Sequence, residues 1–232
     1  MDLEKLQKWV EFGYEKAALN FLKTGIWSDW WPETQAHATS WVWAIIVQAA
    51  LELDPENDLP LLLSAPFHGE NEDLRFRTDM IEDLWKKNST REHEACEVLL
   101  DFSVHNWDSP FPILMTSESE TFAQHGAGAS ISNIDGYSWD FYKLLVVPSP
   151  KRLFFARVGT IRKEKGVERR DSLCKTLKTI LEDWGYGKAF LREGDELGII
   201  IIPELASEWK DLRLLTFVDD ALIQKKPWEN CS

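Results

Sequence analysis

The chain has 232 residues, of which 44% are hydrophobic and 12 are tryptophan, so it can bury a substantial core and is not a disordered polymer. Asp and Glu number 39 against 26 Lys and Arg, and the net charge of −13 argues against a general coat for nucleic acid or for anionic membrane. No apolar run approaches the roughly 18 residues that span a bilayer, and the N-terminus is not patterned as a secretory signal. The three cysteines (Cys96, Cys174, Cys231) have no framework spacing, which indicates free thiols. We therefore expect a cytoplasmic protein with no membrane partner.

The first 53 residues are predicted to be helical. Apolar side chains recur every three or four positions from Leu3 to Phe21, which is typical of an amphipathic helix, and Gly25 follows as a stop. A second helix is predicted over 32–53. Because its residues are apolar around most of the circumference from Trp41 onward, we expect this helix to be buried, and Asp54-Pro55 ends it.

Strand-like patterns begin after residue 54. Residues 59–65 are a short apolar run, and residues 74–80 alternate strictly, which puts Asp79 on the polar face of a strand. Residues 90–101 are predicted to be a helix. Residues 112–116 predict a buried strand that continues into a polar end at 117–120, where Glu118 and Glu120 share a face because side chains alternate along a strand.

The second half of the chain alternates helix and strand patterns. Residues 122–136 predict a loop, 137–147 are ambiguous between helix and strand, 148–150 predict a turn, and 153–158 predict a strand. A helix over 168–184 and strands over 199–202 and 212–218 follow. The pattern predicts a single α/β (α+β) domain over 1–232 with a mixed sheet flanked by helices: N-terminal helices (1–53), a core (54–158), and a C-terminal helix and strands (159–232).

Carboxylates at strand ends are the strongest candidates for chemistry. Asp79 lies on one alternating strand, and Glu118 with Glu120 ends another about forty residues later. Two strand-borne carboxylates that meet can hold Mg²⁺ or Mn²⁺, and such an ion activates water and neutralises charge on a phosphate. A nearby lysine would complete the site. The sequence has no glycine-rich phosphate loop and no second His/Cys pair at zinc spacing, so these acids are the site we carry forward.

Residues 74–158, with the helix before them, resemble the core of the PD-(D/E)XK, or restriction-endonuclease-like, superfamily. The resemblance is carried by the helix at 32–53, the strand with Arg77-Thr78-Asp79-Met80, the strand ending in Glu118-Ser119-Glu120, and the segment 137–145 containing Asp140-Phe141-Tyr142-Lys143. It covers about half of the chain. It implies a restriction-endonuclease-like fold and a metal-dependent nuclease that hydrolyses phosphodiesters, with Asp79 and Glu118 as metal ligands.

The sequence departs from that pattern where the family has the lysine of E-x-K, because Glu120 stands there. Since the lysine has moved to the following helix in some members of the superfamily, the resemblance makes Lys143 the candidate replacement. It also makes Glu52, late in the second helix, a candidate for the helical carboxylate. The predicted catalytic set is therefore Asp79, Glu118, Glu120 and Lys143, and the predicted metal ligands are Asp79, Glu118 and Glu52.

Two partner classes remain open from the sequence. Residues 151–178 carry ten basic and three acidic side chains, which favours either a solvated helix face or a phosphate-binding surface for nucleic acid. A base-stacking role is also open for one or two tryptophans among Trp30, Trp31 and Trp139. The alternative function is an acidic protein-binding module of the immunity or inhibitor type, or a nuclease-like domain that has lost catalysis, and the net charge and the abundant aromatics favour it.

Overall fold

The structure is a computed structural model that describes residues 1–24, 35–56, 59, 61–65, 92–95, 100–106, 112–120, 135–159 and 166–227. Helices and strands follow one another along the chain in the described residues. In chain order they are α1 (Leu3–Thr24), α2 (Gln35–Leu51), β1 (Leu61–Ala65), β2 (Glu92–Ala95), β3 (Phe102–Asn106), β4 (Ile113–Glu120), α3 (Asp135–Val146), β5 (Lys151–Val158), α4 (Gly166–Lys178), α5 (Tyr186–Phe190), β6 (Glu196–Pro203), β7 (Arg213–Val218) and β8 (Ala221–Lys225).

All eight of these strands form one mixed sheet in the order β2-β1-β3-β4-β5-β6-β7-β8. The centre is parallel, because β4 pairs with β5 and β5 pairs with β6 in the same direction. On either side of this centre, the β1–β3 and β3–β4 pairs and the β6–β7 and β7–β8 pairs are antiparallel. The outermost strand β2 is parallel to β1. The carboxyl ends of the three central strands therefore lie at one edge of the sheet, where open α/β sheets bind their ligands.

Helices cover both faces of the sheet. On one face, α1 and α2 pack over inward side chains of the strands such as Phe102, Met115 and Phe155. On the other face, α3 and α4 pack over the alternate side chains, including Phe154 and Ile199. The α/β class, the mixed sheet and the N-terminal helices that the sequence predicts are thus confirmed.

Helix α2 is buried because it is apolar all round. From Trp41 to its end it carries no charged residue, and Trp41 and Trp43 are both buried. The one polar atom of the Trp41 side chain is satisfied, because its indole N–H donates to the carbonyl of Val10 in α1 at 2.9 Å. The composition of this helix therefore explains its place between α1 and the sheet.

Several sequence predictions change in the structure. The ambiguous segment 137–147 is helix α3, and the helix expected over 168–184 ends at Lys178 and continues as a π-helical turn over Thr179–Asp183. The helix predicted over 90–101 is wrong, because residues 92–95 pair with β1 as the parallel strand β2 and backbone pairing outweighs helix propensity there. The predicted strand 74–80 and most of the predicted loop 122–136 lie outside the described residues. Of the described helices, none has both the length and the apolar character needed to cross a membrane.

Candidate functional site: a buried carboxyl–lysine pair

Glu118 places a carboxyl group inside the fold, near the carboxyl end of β4. Along β4 the side chains alternate, so Met115 joins the core under α1 and α2 while Glu118 points to the α3 face. Only 1% of Glu118 is exposed. Its partner across the parallel ladder is Phe154, whose ring meets that of Phe141 in α3 at 5.2 Å. The carboxyl group is therefore surrounded by an apolar helix–sheet interface and needs a specific charge partner.

Lys143 of α3 supplies that partner. Its Nζ lies 2.8 Å from Oε1 of Glu118 and 3.0 Å from Oδ1 of Asp140, which is one helical turn earlier on α3. Positions three residues apart share a helix face, so Asp140 and Lys143 approach the sheet together. Part of the Lys143 side chain remains exposed. The ammonium group thus bridges one buried and one half-buried carboxylate at the edge of the sheet.

Asp101 is a second carboxyl group beside Glu118 that the sequence analysis did not single out. It directly precedes β3, and because Phe102 pairs with Ser117 in the antiparallel ladder, Asp101 comes opposite Glu118. Its Oδ2 accepts hydrogen bonds from the backbone N–H of Ser119 at 2.8 Å and from the Ser119 hydroxyl at 2.7 Å. An interpretation of the residues after Asp101 as a strand would have placed Asp101 at the start of that strand. The helix predicted over 90–101 excluded this interpretation.

Burial decides the electrostatics of this cluster. Desolvation, reinforced by the charge of Asp101, raises the pKa of Glu118 to about 8, although the Lys143 ammonium opposes the shift. Desolvation likewise raises the pKa of Asp101 against the two hydrogen bonds from Ser119. Burial alone would lower the pKa of Lys143, but its contacts with Glu118 and Asp140 outweigh that effect and raise it. Perturbed groups that cluster at a strand end are typical of functional sites.

Glu120 lies on the same face as Glu118 but beside the start of α3. A Cβ placed on Gly136 would come 3.8 Å from Oε2 of Glu120, and Gly136 precedes Lys143 by about two helical turns. The charge of Glu120 adds to burial in raising the pKa of Tyr137, whose hydroxyl donates to the carbonyl of Arg157 at 2.7 Å. Glu120 therefore lies at the border of the cluster and does not contact Lys143.

Glu52 lies on the other side of the sheet. It follows the last residue of α2, where it pairs with Lys5 at 3.4 Å and accepts a hydrogen bond from Gln48 at 3.1 Å. Since α2 covers the face opposite to α3, the structure does not bring Glu52 together with Glu118. Asp79, the other predicted ligand, lies outside the described residues.

Arginines of the basic segment 151–178 point into the fold. Arg152, Arg157 and Arg170 are buried, and each pairs with an acid from the segment after α5. Two lysines of the segment also have acidic partners. These pairs are Arg152–Asp195 (3.0 Å), Arg157–Glu204 (3.6 Å), Arg170–Asp211 (2.6 Å), Lys151–Glu196 (3.4 Å) and Lys178–Glu182 (3.7 Å).

The cluster provides some, but not all, of the ligands that a hard cation needs. Asp101 and Glu118 offer carboxylate oxygens, which Mg²⁺ and Mn²⁺ prefer. In the described portion of the chain, however, no group of three or more His, Cys, Asp or Glu could hold a metal ion. A cation at this cluster would therefore need a further donor in addition to Asp101 and Glu118.

Comparisons with known proteins give no family. No protein-family model and no curated protein matches the chain. Among solved structures, the crystal structure of the RNA-binding domain of threonyl-tRNA synthetase from Cryptosporidium parvum Iowa II aligns with 83% of this chain and 57% of that one, at 11% identity and a TM-score of 0.26. The chain thus spans little more than half the length of that domain, and a likeness of this size carries no argument about fold or function.

Proposed function

We propose that the protein is a nuclease that hydrolyses phosphodiesters with the help of Mg²⁺ or Mn²⁺. The observation that carries the proposal is the 2.8 Å contact between Lys143 and the buried carboxyl of Glu118. This pair lies at the carboxyl end of a central parallel strand, which is where α/β sheets bind ligands. It also combines the two residue types that the restriction-endonuclease-like resemblance requires, with the lysine on the helix after the strand.

In this proposal each residue has a distinct role. Glu118 and Asp101 offer oxygens to the cation, and Asp79 is the further carboxylate predicted from the sequence. The cation, when bound, acts as a Lewis acid and neutralises charge at the phosphate. Lys143 donates hydrogen bonds to a phosphate oxygen or to the attacking water, and Asp140 holds the ammonium group in position at 3.0 Å.

The proton on Glu118 makes cation uptake pH-dependent. Because the pKa of Glu118 is about 8, its carboxyl is mainly protonated at neutral pH, and a cation must displace that proton. Substrate phosphates would be held by the exposed Lys175 of α4, because the buried arginines of the basic segment and Lys178 already have acidic partners.

The test is a cleavage assay on the full chain with single- and double-stranded DNA and RNA, in Mg²⁺, in Mn²⁺ and in a chelator. We expect metal-dependent cleavage that falls by at least about 100-fold in Glu118→Gln and in Lys143→Met, the range typical of groups that act in proton transfer or charge stabilisation. Glu52→Gln, on the opposite face of the sheet, is the matched control and should cleave like the wild type. Cleavage that survives Glu118→Gln, or its absence on all four substrates, would contradict the proposal.

The contact between Lys143 and Glu118 also favours a second function. Lys143 already occupies Oε1 of Glu118 at 2.8 Å, and Glu120 stands where the superfamily has its lysine. Both features suit a nuclease-like domain that has lost catalysis and acts as an acidic protein-binding module. Calorimetry with Mg²⁺ or Mn²⁺ separates the two functions. Heat of binding that is lost in Asp79→Asn supports the enzyme, and no heat at millimolar cation supports the binding module.

A further inference from the structure

Four aromatic side chains form a continuous row on the outside of the molecule, two from α3, one from α5 and one, Trp184, from the connection just before α5. Trp139 stacks on Tyr142 at 6.2 Å, Tyr142 meets Tyr186 at 5.9 Å, and Tyr186 meets Trp184 at 5.9 Å. We call these four residues the aromatic row. Phe190 supports it from α5, at 6.3 Å from Tyr142 and 5.4 Å from Tyr186. The two helices thereby present one aromatic surface.

The two ends of the aromatic row are its most exposed members. Trp139 is 64% exposed and Trp184 is 62% exposed, whereas Phe141 and Leu144 on the inner side of α3 are fully buried. The core of the α3 face is thus complete without either tryptophan. Large exposed aromatics that are held in a fixed arrangement are the residues that contribute most to protein interfaces.

An exposed acid borders one end of the aromatic row, because Asp183 directly precedes Trp184. Asp140 directly follows Trp139, but its carboxylate pairs with Lys143 at 3.0 Å. Lys188 lies on the same helix as Tyr186, but its ammonium group pairs with Asp220 at 2.9 Å. The chain as a whole has a net charge of −13, so it attracts cationic partners over a distance. Indole and phenol rings beside carboxylates also bind ammonium and guanidinium groups through cation–π contacts.

We propose that the aromatic row is the docking surface for an arginine- or lysine-rich segment of a partner protein. The cationic side chains lie over the exposed rings of Trp139 and Trp184, and Asp183 and the net negative charge of the chain attract them. This inference does not depend on the nuclease activity, because none of the four rings holds the cation or contacts Glu118 in that proposal. At the aromatic row, charge complementarity selects the protein partner over a nucleic acid, whose phosphates would meet the exposed carboxylate of Asp183.

The first experiment measures the affinity of the full chain for a fluorescently labelled oligoarginine peptide by polarisation. We expect binding that weakens with salt and falls by at least about tenfold in the Trp139→Ala/Trp184→Ala double variant, since buried interface tryptophans dominate affinity. Trp184→Phe should recover part of the loss, because a smaller ring remains. Ile223→Ala on β8, an exposed apolar residue outside the aromatic row, is the control and should bind like the wild type.

Four outcomes would overturn the inference. These are no binding of the peptide to the wild type, equal affinity in the double variant, a labelled single-stranded oligonucleotide that binds in place of the peptide and is released by the same substitutions, and self-association that the substitutions abolish. Thermal unfolding of the double variant checks that the fold is kept. The Glu118→Gln variant separates the two proposals, because it should lose cleavage and keep the peptide affinity.

Discussion

The carboxyl group of Glu118 is subject to two opposing effects within a few ångströms. Lys143 approaches it to 2.8 Å and favours the ionised form, whereas burial and the charge of Asp101 favour the protonated form. Burial is the largest of these effects, and the pKa of Glu118 rises to about 8. A proton therefore stays on this group under conditions where an exposed glutamate would have lost it.

This raised pKa predicts a dependence of stability on pH. The unfolded chain releases the Glu118 proton near pH 4.5 and the folded protein near 8, so the folded state binds more protons between these values and the free energy of unfolding falls as the pH rises through this window. The glutamine variant Glu118→Gln should lose that slope, which amounts to a few kcal/mol across the window. Urea unfolding at several pH values from about 5 to about 8 measures it.

Lys143 does not complicate the comparison, because its raised pKa stabilises the fold throughout this range and matters only at higher pH. An exposed acid serves as the control, and Glu15→Gln should leave the slope of the wild type unchanged. Parallel pH profiles for Glu118→Gln and the wild type would mean that Glu118 ionises normally in the folded protein.

For individual residues, the sequence predicted which types of side chain form the cluster better than it predicted where each of them lies in the fold. Strand alternation placed Glu118 and Glu120 on one face, because successive side chains of a strand point to opposite faces. Lys143 was singled out by the resemblance to the nuclease superfamily, since the local pattern of 137–147 is ambiguous between helix and strand. The opposite location of Glu52 depends on which face of the sheet α2 covers, and no local pattern encodes that choice. Asp101 was missed for a related reason, since its partner across the ladder is fixed only when β3 pairs with β4.

At the scale of elements, the contact between α1 and α2 depends on one glycine. Gly13 is buried against α2, and a Cβ built there would overlap the side chain of Ile45 and come 2.6 Å from the Trp41 ring. The same tryptophan donates its indole N–H to Val10, so it is held in place and has little freedom to move aside. The absence of a side chain at position 13 therefore sets how closely the two helices approach.

The substitution Gly13→Ala tests this packing. Alanine favours the helix by up to about 1 kcal/mol at an unconstrained site, but the overlap with Ile45 and Trp41 should outweigh that gain and lower the free energy of unfolding by about 1–3 kcal/mol. Urea unfolding followed by circular dichroism gives the value. Glu15→Ala, at an exposed position of α1, is the control and should be neutral or slightly stabilising. A stabilised Gly13→Ala protein would show that α2 has room to shift.

Helices and strands whose own sequence has a clear hydrophobic pattern were predicted. Strands that form only because a neighbouring strand pairs with them were not. Helix α2 is apolar on all sides and β6 is a run of β-branched residues, so each is recognisable alone. Strand β2 has the sequence Glu-His-Glu-Ala and is a strand only because β1 offers it a parallel ladder. The edges of the sheet therefore depend on tertiary structure in a way that its centre does not.

At the scale of the whole molecule, the uneven distribution of charge along the sequence is explained by ion pairs inside the fold. The arginines of β5 and α4 would be costly to bury alone, and acids that come later in the chain neutralise them. Asp211 is the most connected of these acids. It accepts hydrogen bonds from Nε of Arg170 at 2.6 Å and from Nη2 of Arg213 at 2.9 Å, and Lys226 approaches it to 3.1 Å. One carboxylate thereby joins α4 to β7 and to the end of the described chain.

The substitution Asp211→Asn should destabilise the protein more than any surface change of the same size. It leaves the buried guanidinium groups of Arg170 and Arg213 without their shared counter-charge, and breaking a buried pair in this way costs about 3 kcal/mol or more. Burial raises the pKa of Asp211, but the bonds from Arg213 and Arg170 outweigh it and the pKa is lowered overall. The wild type therefore has a stabilising contribution that is present above the usual aspartate pKa and is lost as the pH falls through the lowered one.

Urea unfolding at neutral and acidic pH distinguishes this network from a collection of independent surface pairs. In Asp211→Asn the loss should be largest at neutral pH and should shrink on acidification, because the wild type then also loses the ionised carboxylate. Asp220→Asn removes an acid whose partner Lys188 is largely exposed, so it should change the free energy of unfolding by less than about 1 kcal/mol. If both variants unfold alike, the other acidic partners of Arg170 and Arg213, which are Glu208 and Asp171, are sufficient, and the contact between α4 and β7 does not depend on a single carboxylate.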